Sequence, residues 1–243
     1  MAPDAEVLER LGGDGVEPAS ERGLLGWVTD EGLRFPTPVA RDRAAGIARV
    51  SWTPEDGKAV TELPSASRRL ADVGWRGLVT VGIAPDGELA EVAAGFSLDM
   101  AVLERAHGVD AVELALRSAA GEGGPLPEGR PARAAVVVQL RAGLPPGTPG
   151  QVTGRLPGAG PVPAPDEGIE LVAVSGDGPG DRLDGWYDAL LATVSAAGPD
   201  TATAAGTAAA VLSDLPDVGV PHDGAEVCAV LGRLAGESGV PTE

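Results

Sequence analysis

Residues 171–191 read LVAVSGDGPGDRLDGWYDALL. An apolar run from Leu171 to Val174 enters a glycine-rich loop, and the loop enters a segment carrying Leu183, Trp186, Leu190 and Leu191. Strand, glycine loop and helix in that order form many phosphate sites, because the free N–H groups at a helix N-terminus face the anion. We read 169–175 as a strand buried on both faces and 183–196 as the helix that follows. Strands of that kind lie in sheets covered by helices, so this stretch sets the expected fold class.

The residues of the loop argue against a phosphate. A Walker A loop needs G-x-x-x-x-G-K-[ST], and the chain's single lysine, Lys58, lies far upstream. Gly176 and Gly178 supply two glycines of the dinucleotide fingerprint G-x-G-x-x-G, but Asp181 holds the third position. Asp177, Asp181 and Asp184 suit the positive end of a helix dipole and repel a phosphate at the same place. Their spacing does not match a calcium-binding EF-hand loop. A cation, a neutral polar molecule or a basic protein surface fits better. The candidate ligand or partner loop is Ser175, Gly176, Asp177, Gly178, Asp181 and Trp186, with Trp186 expected mainly to pack in the core.

Composition narrows the rest. The chain has 243 residues, 43% of them hydrophobic, with a formal net charge of −18. That length and apolar content bury a substantial core. Aromatics make up only 3%, so the core must be built from Ala, Val and Leu. The negative charge excludes broad binding to nucleic acid, which needs clustered Lys and Arg. It also disfavours anionic membranes and a DNA-binding regulator. Arg41, Arg43, Arg49, Arg68 and Arg69 lie among acids and are expected to be solvated. No run is long enough for a membrane span. The acidic N-terminus MAPDAEVLERLGGDG lacks the apolar core of a secretory leader. A cytoplasmic protein of a high-GC bacterium is expected.

Histidines and the cysteine give no catalytic set. His107 and His222 are the only histidines and Cys228 the only cysteine, so a structural zinc site of the usual kind is excluded. His107 is expected to cap a helix C-terminus at the surface, and His222 to sit in a turn. Cys228, between Val227 and Ala229, is expected to be a small buried residue of a helix. No metal, cofactor or catalytic residue is assigned.

Along the chain, 3–11 suits a helix. Residues 23–35 suit a hairpin turning at TDEG, 46–63 a hairpin turning at PEDGK, and 78–92 a hairpin turning at PDG. A helix over 98–119 should break at Gly108 and restart at Asp110. A buried strand covers 132–141, and a proline- and glycine-rich connection covers 143–168 with a short strand at 151–155. Helices are expected at 202–213 and 223–235, the second with Asp223 and Glu226 as a capping box. The fold class is α+β or α/β. A β-rich part, 1–75, precedes an α/β part, 76–243, unless 1–243 is one continuous domain.

The segment RGLVTVGIAPDGELAEVAAG, 76–95, resembles one in large actinobacterial proteins that carry a bacterial transcriptional activator domain, often with a LysM module. It is also similar to the hairpin before Walker A in DNA-translocase and type VII secretion ATPases. In the Walker A place this chain has AAGFSLDMAVL, 93–103, with no lysine, so the resemblance transfers no functional residue. Together these readings give a non-catalytic accessory or structural subunit of a bacterial assembly. It would bind a protein partner through its acidic surface, in an unspecified oligomeric state. The alternatives are a small-ligand binder or enzyme with a site at 169–191, and a regulator-associated domain.

Overall fold

The computed structural model describes residues 20–44, 47–55, 70, 74–87, 89–94, 96–121, 127–158, 168–186 and 190–236. The expected helix at 3–11, Lys58, Arg68, Arg69 and Tyr187 lie outside them. So does half of the hairpin drawn over 46–63, whose first strand is present as Ile47–Trp52. The chain divides into two compact units, Met1–Arg41 with Trp52–Arg133, and Asp42–Ser51 with Ala134–Glu243. Each combines antiparallel strands with helices, which is an α+β fold.

In the first unit, β1 (Arg22–Thr29), β2 (Gly32–Ala44), β4 (Gly77–Ile83) and β5 (Leu89–Ala94) lie in the order β5-β4-β1-β2. β2 reaches into the second unit from Asp42 onward. The TDEG turn closes β1 on β2, with Thr29 opposite Gly32. Between β4 and β5 the expected PDG turn is present: Gly87 N donates to Ala84 O at 2.9 Å, and Gly87 has φ 88°. Positive φ costs glycine nothing, for it has no Cβ to clash.

β1 is buried along both faces because it is central. Leu24 and Val28 join Leu70, Trp75, Val79, Val81 and Val92 in one apolar cluster. Trp27 points the other way and donates from Nε1 to Ser118 Oγ at 2.7 Å. That serine is on α2 (Ala111–Ala120), which packs on β4. Upstream runs α1 (Met100–His107), stopped at Gly108, whose φ is 66°. Asp110 then caps α2 by accepting from Glu113 N at 3.0 Å. The break and restart sit where the sequence places them.

In the second unit, β3 (Ile47–Trp52, of which Trp52 itself belongs to the first unit), β6 (Ala134–Arg141), β8 (Glu170–Ser175) and β10 (Leu190–Gly198) lie in the order β3-β6-β10-β8. A separate ribbon pairs β7 (Gly150–Gln151) with β9 (Arg182–Leu183). α3 (Thr201–Ser213) packs on β10 and β6, and α4 (Gly224–Leu234) packs on α3. The face of α3 turned inward is Thr201, Ala204, Ala205, Ala208 and Leu212, mostly small side chains.

Two expectations fail here. The helix drawn over 183–196 is instead β9 followed by β10. β10 pairs antiparallel with β6 on one side and β8 on the other. Two ladders satisfy its backbone groups, and this tertiary pairing overrides the weak helix preference of Leu and Ala. β8 is also not buried on both faces, since Val172 and Val174 are 38% and 60% exposed. It lies at the end of its strand order, whereas central β6 is buried throughout its interior.

Candidate ligand groove

The first unit holds a groove of about 350 Å³. Strand pairing builds one side of it. Arg22 faces Ala40 across β1 and β2, and Arg41 N donates to Glu21 O at 2.8 Å. The other side is Trp52 at the end of β3, followed by Pro54 and Glu55.

Arg41 is the unusual wall residue. Its side chain and that of Asp99 are both 0% exposed, and Nε donates to Asp99 Oδ2 at 2.6 Å. Asp99 stands at the N-cap of α1, yet makes no side-chain cap there. Its carboxylate is directed to the guanidinium instead. Arg41 Nη1 donates to Ser20 O at 3.3 Å, and Nη2 is buried with no hydrogen-bond partner. A glycine makes room for this group: a Cβ on Gly23 would lie 2.7 Å from Nη1 and 2.3 Å from Val81 O. A buried donor left unpaired costs about 1–3 kcal/mol. The expectation of a solvated arginine at 41 is therefore corrected. Arg43 and Arg49 are half-buried too, and Arg49 Nη2 pairs with Asp42 Oδ2 at 3.0 Å.

His107 also departs from its expected place. It is buried, its ring lies 5.5 Å from that of Phe35, and Nδ1 is 3.4 Å from Arg130 O. Burial holds its pKa below the ordinary value, against the pull of carbonyl partners. His222 behaves as a turn residue, its Nδ1 accepting from Gly224 N at 3.1 Å. The capping box at Asp223 does not form: Asp223 Oδ1 accepts from Arg141 N at 2.8 Å. Burial raises its carboxyl pKa, and the hydrogen bond from Arg141 N opposes the rise. Cys228 is half-buried on α4, and burial pushes its thiol pKa up.

The loop after β8 is a set of turns rather than a phosphate cradle. Asp181 Oδ2 accepts from Gly178 N at 2.7 Å, and Asp184 Oδ1 accepts from Trp186 N at 3.0 Å. The Asp184 carboxylate closes an Asx turn, and that of Asp181 reaches back across its own loop to Gly178. Since β9 follows, the loop leads to no helix N-terminus. Ser175, Asp177 and Gly178 are half-buried, while Gly176 and Asp181 are exposed. Trp186 is 70% exposed, which corrects its expected core position, and its ring lies over Gly147. Among the described residues no three His, Cys, Asp or Glu come together to hold a metal ion. No described helix is long and apolar enough to cross a membrane.

No protein-family model matches the sequence, and no curated protein registers a match to it. Solved structures do match. The chain is similar to the biotin carboxylase domain of a single-chain bacterial carboxylase, with TM-score 0.67 and 21% identity over 86% of this chain and 51% of that one. The biotin carboxylase of Campylobacter jejuni, solved as a β-γ-ATP complex, gives 0.70 and 14% over 89% and 50%. Urea carboxylase of Kluyveromyces lactis gives 0.72 and 18% over 93% and 21%. The fold is that of biotin carboxylase domains. The chain spans about half the length of the first two and a smaller part of the third.

This likeness overturns the resemblance carried by residues 76–95. A hairpin turning at PDG is common to many folds, whereas the structural match covers most of the chain. It equally overturns the reading as a non-enzymatic accessory or structural subunit, because the matched folds belong to carboxylases. That reading rested on the absence of local motifs, and this fold is not announced by any motif in the sequence.

Proposed function

We propose that this chain works as part of an ATP-dependent carboxylase or ligase and binds a small ligand. The supporting observation is its similarity to biotin carboxylase domains across 86% to 89% of its length at TM-scores of 0.67 to 0.70. One of the similar structures is a complex with β-γ-ATP, and another contains MgADP and bicarbonate. The described residues do not fit a magnesium site, since they hold no cluster of three acids or imidazoles. We therefore derive no step through a metal. A protein partner or further domain, with the basic surface that a charge of −18 favours, would supply what this length does not span.

The test is calorimetric titration of the chain with ATP and with ADP, each with and without magnesium. Saturable binding at sub-millimolar concentration is expected, as is a further change on adding bicarbonate. Heats no larger than dilution, up to several millimolar nucleotide, would overturn the proposal. The same titration on Asp177→Ala tests the loop from Ser175 to Asp181 as the place of the ligand.

A further inference from the structure

Helix α2 of the first unit is covered on one side only. Ala111 and Leu114 are buried, and Ser118 Oγ accepts the Trp27 indole N–H at 2.7 Å. The opposite side carries Val112, Leu116, Ala119 and Ala120, all of them exposed. At 3.6 residues per turn these four fall within about 100° of the helix circumference. A surface helix normally turns charged and polar side chains to solvent there. Here that place is held by Val112, 51% exposed, and Leu116, 65% exposed. Glu113 and Arg117 run along one flank of the stripe, where Arg117 Nη2 donates to Glu113 Oε1 at 2.7 Å. The other flank is the small side chain of Ala115.

The charges select what covers the stripe. A two-fold axis perpendicular to α2 sets two copies of the helix antiparallel, stripe to stripe, and keeps their charged flanks on the same side. With the axis level with the midpoint between Ala115 and Leu116, Leu116 meets its own copy and Val112 meets Ala119. Glu113 then comes within one residue's rise, about 1.5 Å along the axis, of the level of Arg117 in the second copy. The flank thus sets opposite charges against each other twice over. It does so in a chain whose net charge of −18 otherwise drives copies apart. From this self-complementarity we infer that α2 is a dimerisation face, pairing antiparallel with α2 of a second copy of this chain. A helix of ten residues is about 15 Å long. The contact is therefore smaller than the roughly 1,200 Å² of a standard interface, and the dimer is weak and reversible. The pairing needs no nucleotide, so it goes beyond the carboxylase reading and can fail without touching it.

Sedimentation equilibrium of the whole chain over about 5–500 μM reads the association. Wild type is expected to pass from monomer to dimer within that range. Leu116→Glu, at an exposed position, should stay monomeric while melting close to wild type. Glu113→Arg and Arg117→Glu each set like charges against each other, and each should self-associate at least about tenfold more weakly. An equimolar mixture of these two variants should form a heterodimer about as tight as the wild-type dimer, since every arginine of the flank then meets a glutamate across the axis. Damage to the helix itself would not be undone by mixing. The inference is overturned if wild type is monomeric throughout, or if its dimer persists in Leu116→Glu or in both charge variants. It is also overturned if the mixture associates no better than either variant alone.

Discussion

Asp99→Asn isolates one charge in the interior. The wild-type pair is fully enclosed, with both side chains at 0% exposure and Nε to Oδ2 at 2.6 Å. Asparagine keeps the shape and one acceptor, so packing changes little. What changes is that the Arg41 guanidinium stays buried without its counter-charge. Breaking a buried pair from one side costs about 3–5 kcal/mol, a large share of the roughly 5–15 kcal/mol that holds a domain folded. At about 2–4 °C per kcal/mol for chains of this size, the melting temperature should fall by roughly 6–20 °C. Urea unfolding at pH 7, followed by far-ultraviolet circular dichroism, measures the loss directly. A lower midpoint with an unchanged slope marks a stability effect. The companion variant Arg41→Met/Asp99→Leu removes both charges and fills the space with apolar atoms. It should recover most of the stability, since apolar replacement of a buried pair is often neutral or better. The reasoning is refuted if Asp99→Asn loses under about 1 kcal/mol, or if the double variant is no more stable than the single one.

Three further outcomes can be checked. His107 is neutral in the fold because burial lowers its pKa, whereas the unfolded chain takes up the proton below about pH 6.5. The contribution is therefore complete above that pH and lost as pH falls toward the folded pKa. Urea midpoints at pH 7.5 and 5.5 should differ more for wild type than for His107→Gln, and parallel behaviour would refute this. Gly158→Ala forces a Cβ to within 2.5 Å of Ala173 O at a φ of 89°. It should destabilise by about 1–3 kcal/mol, and a calorimetric melt within a degree of wild type would contradict it. Asp110→Ala removes the acceptor for Glu113 N and should cost about 1 kcal/mol. Faster amide exchange confined to the first turn of α2 should accompany that loss.

Where local chemistry decides the conformation, the sequence was readable. The turn at Gly87, the break at Gly108 and the cap at Asp110 each follow from one residue's backbone preference or side-chain reach. Where distant partners decide, it was not. β10 is a strand because β6 and β8 flank it, and nothing within LLATVSAAG separates that outcome from a helix. The candidate groove was missed for the same reason. Arg41 lies among alternating charges in VARDR, and its partner Asp99 is 58 positions away. No local pattern marks that arginine as buried. The aspartates after β8 were misjudged differently: they do bind N–H groups, but those of their own turns.

The small side chains beneath α3 have a consequence for how the chain tolerates random change. Ala204, Ala205 and Ala208 are each 0% exposed, and Ala196 and Ala197 of β10 are equally enclosed. An alanine has almost nothing to delete, so truncation, the usual source of damage in cores of leucine and phenylalanine, has little to act on here. Enlargement has no room, because added methylenes must push a helix off its sheet. A library of substitutions scored for folding should thus be lopsided at these positions, tolerating glycine and serine far better than valine or leucine.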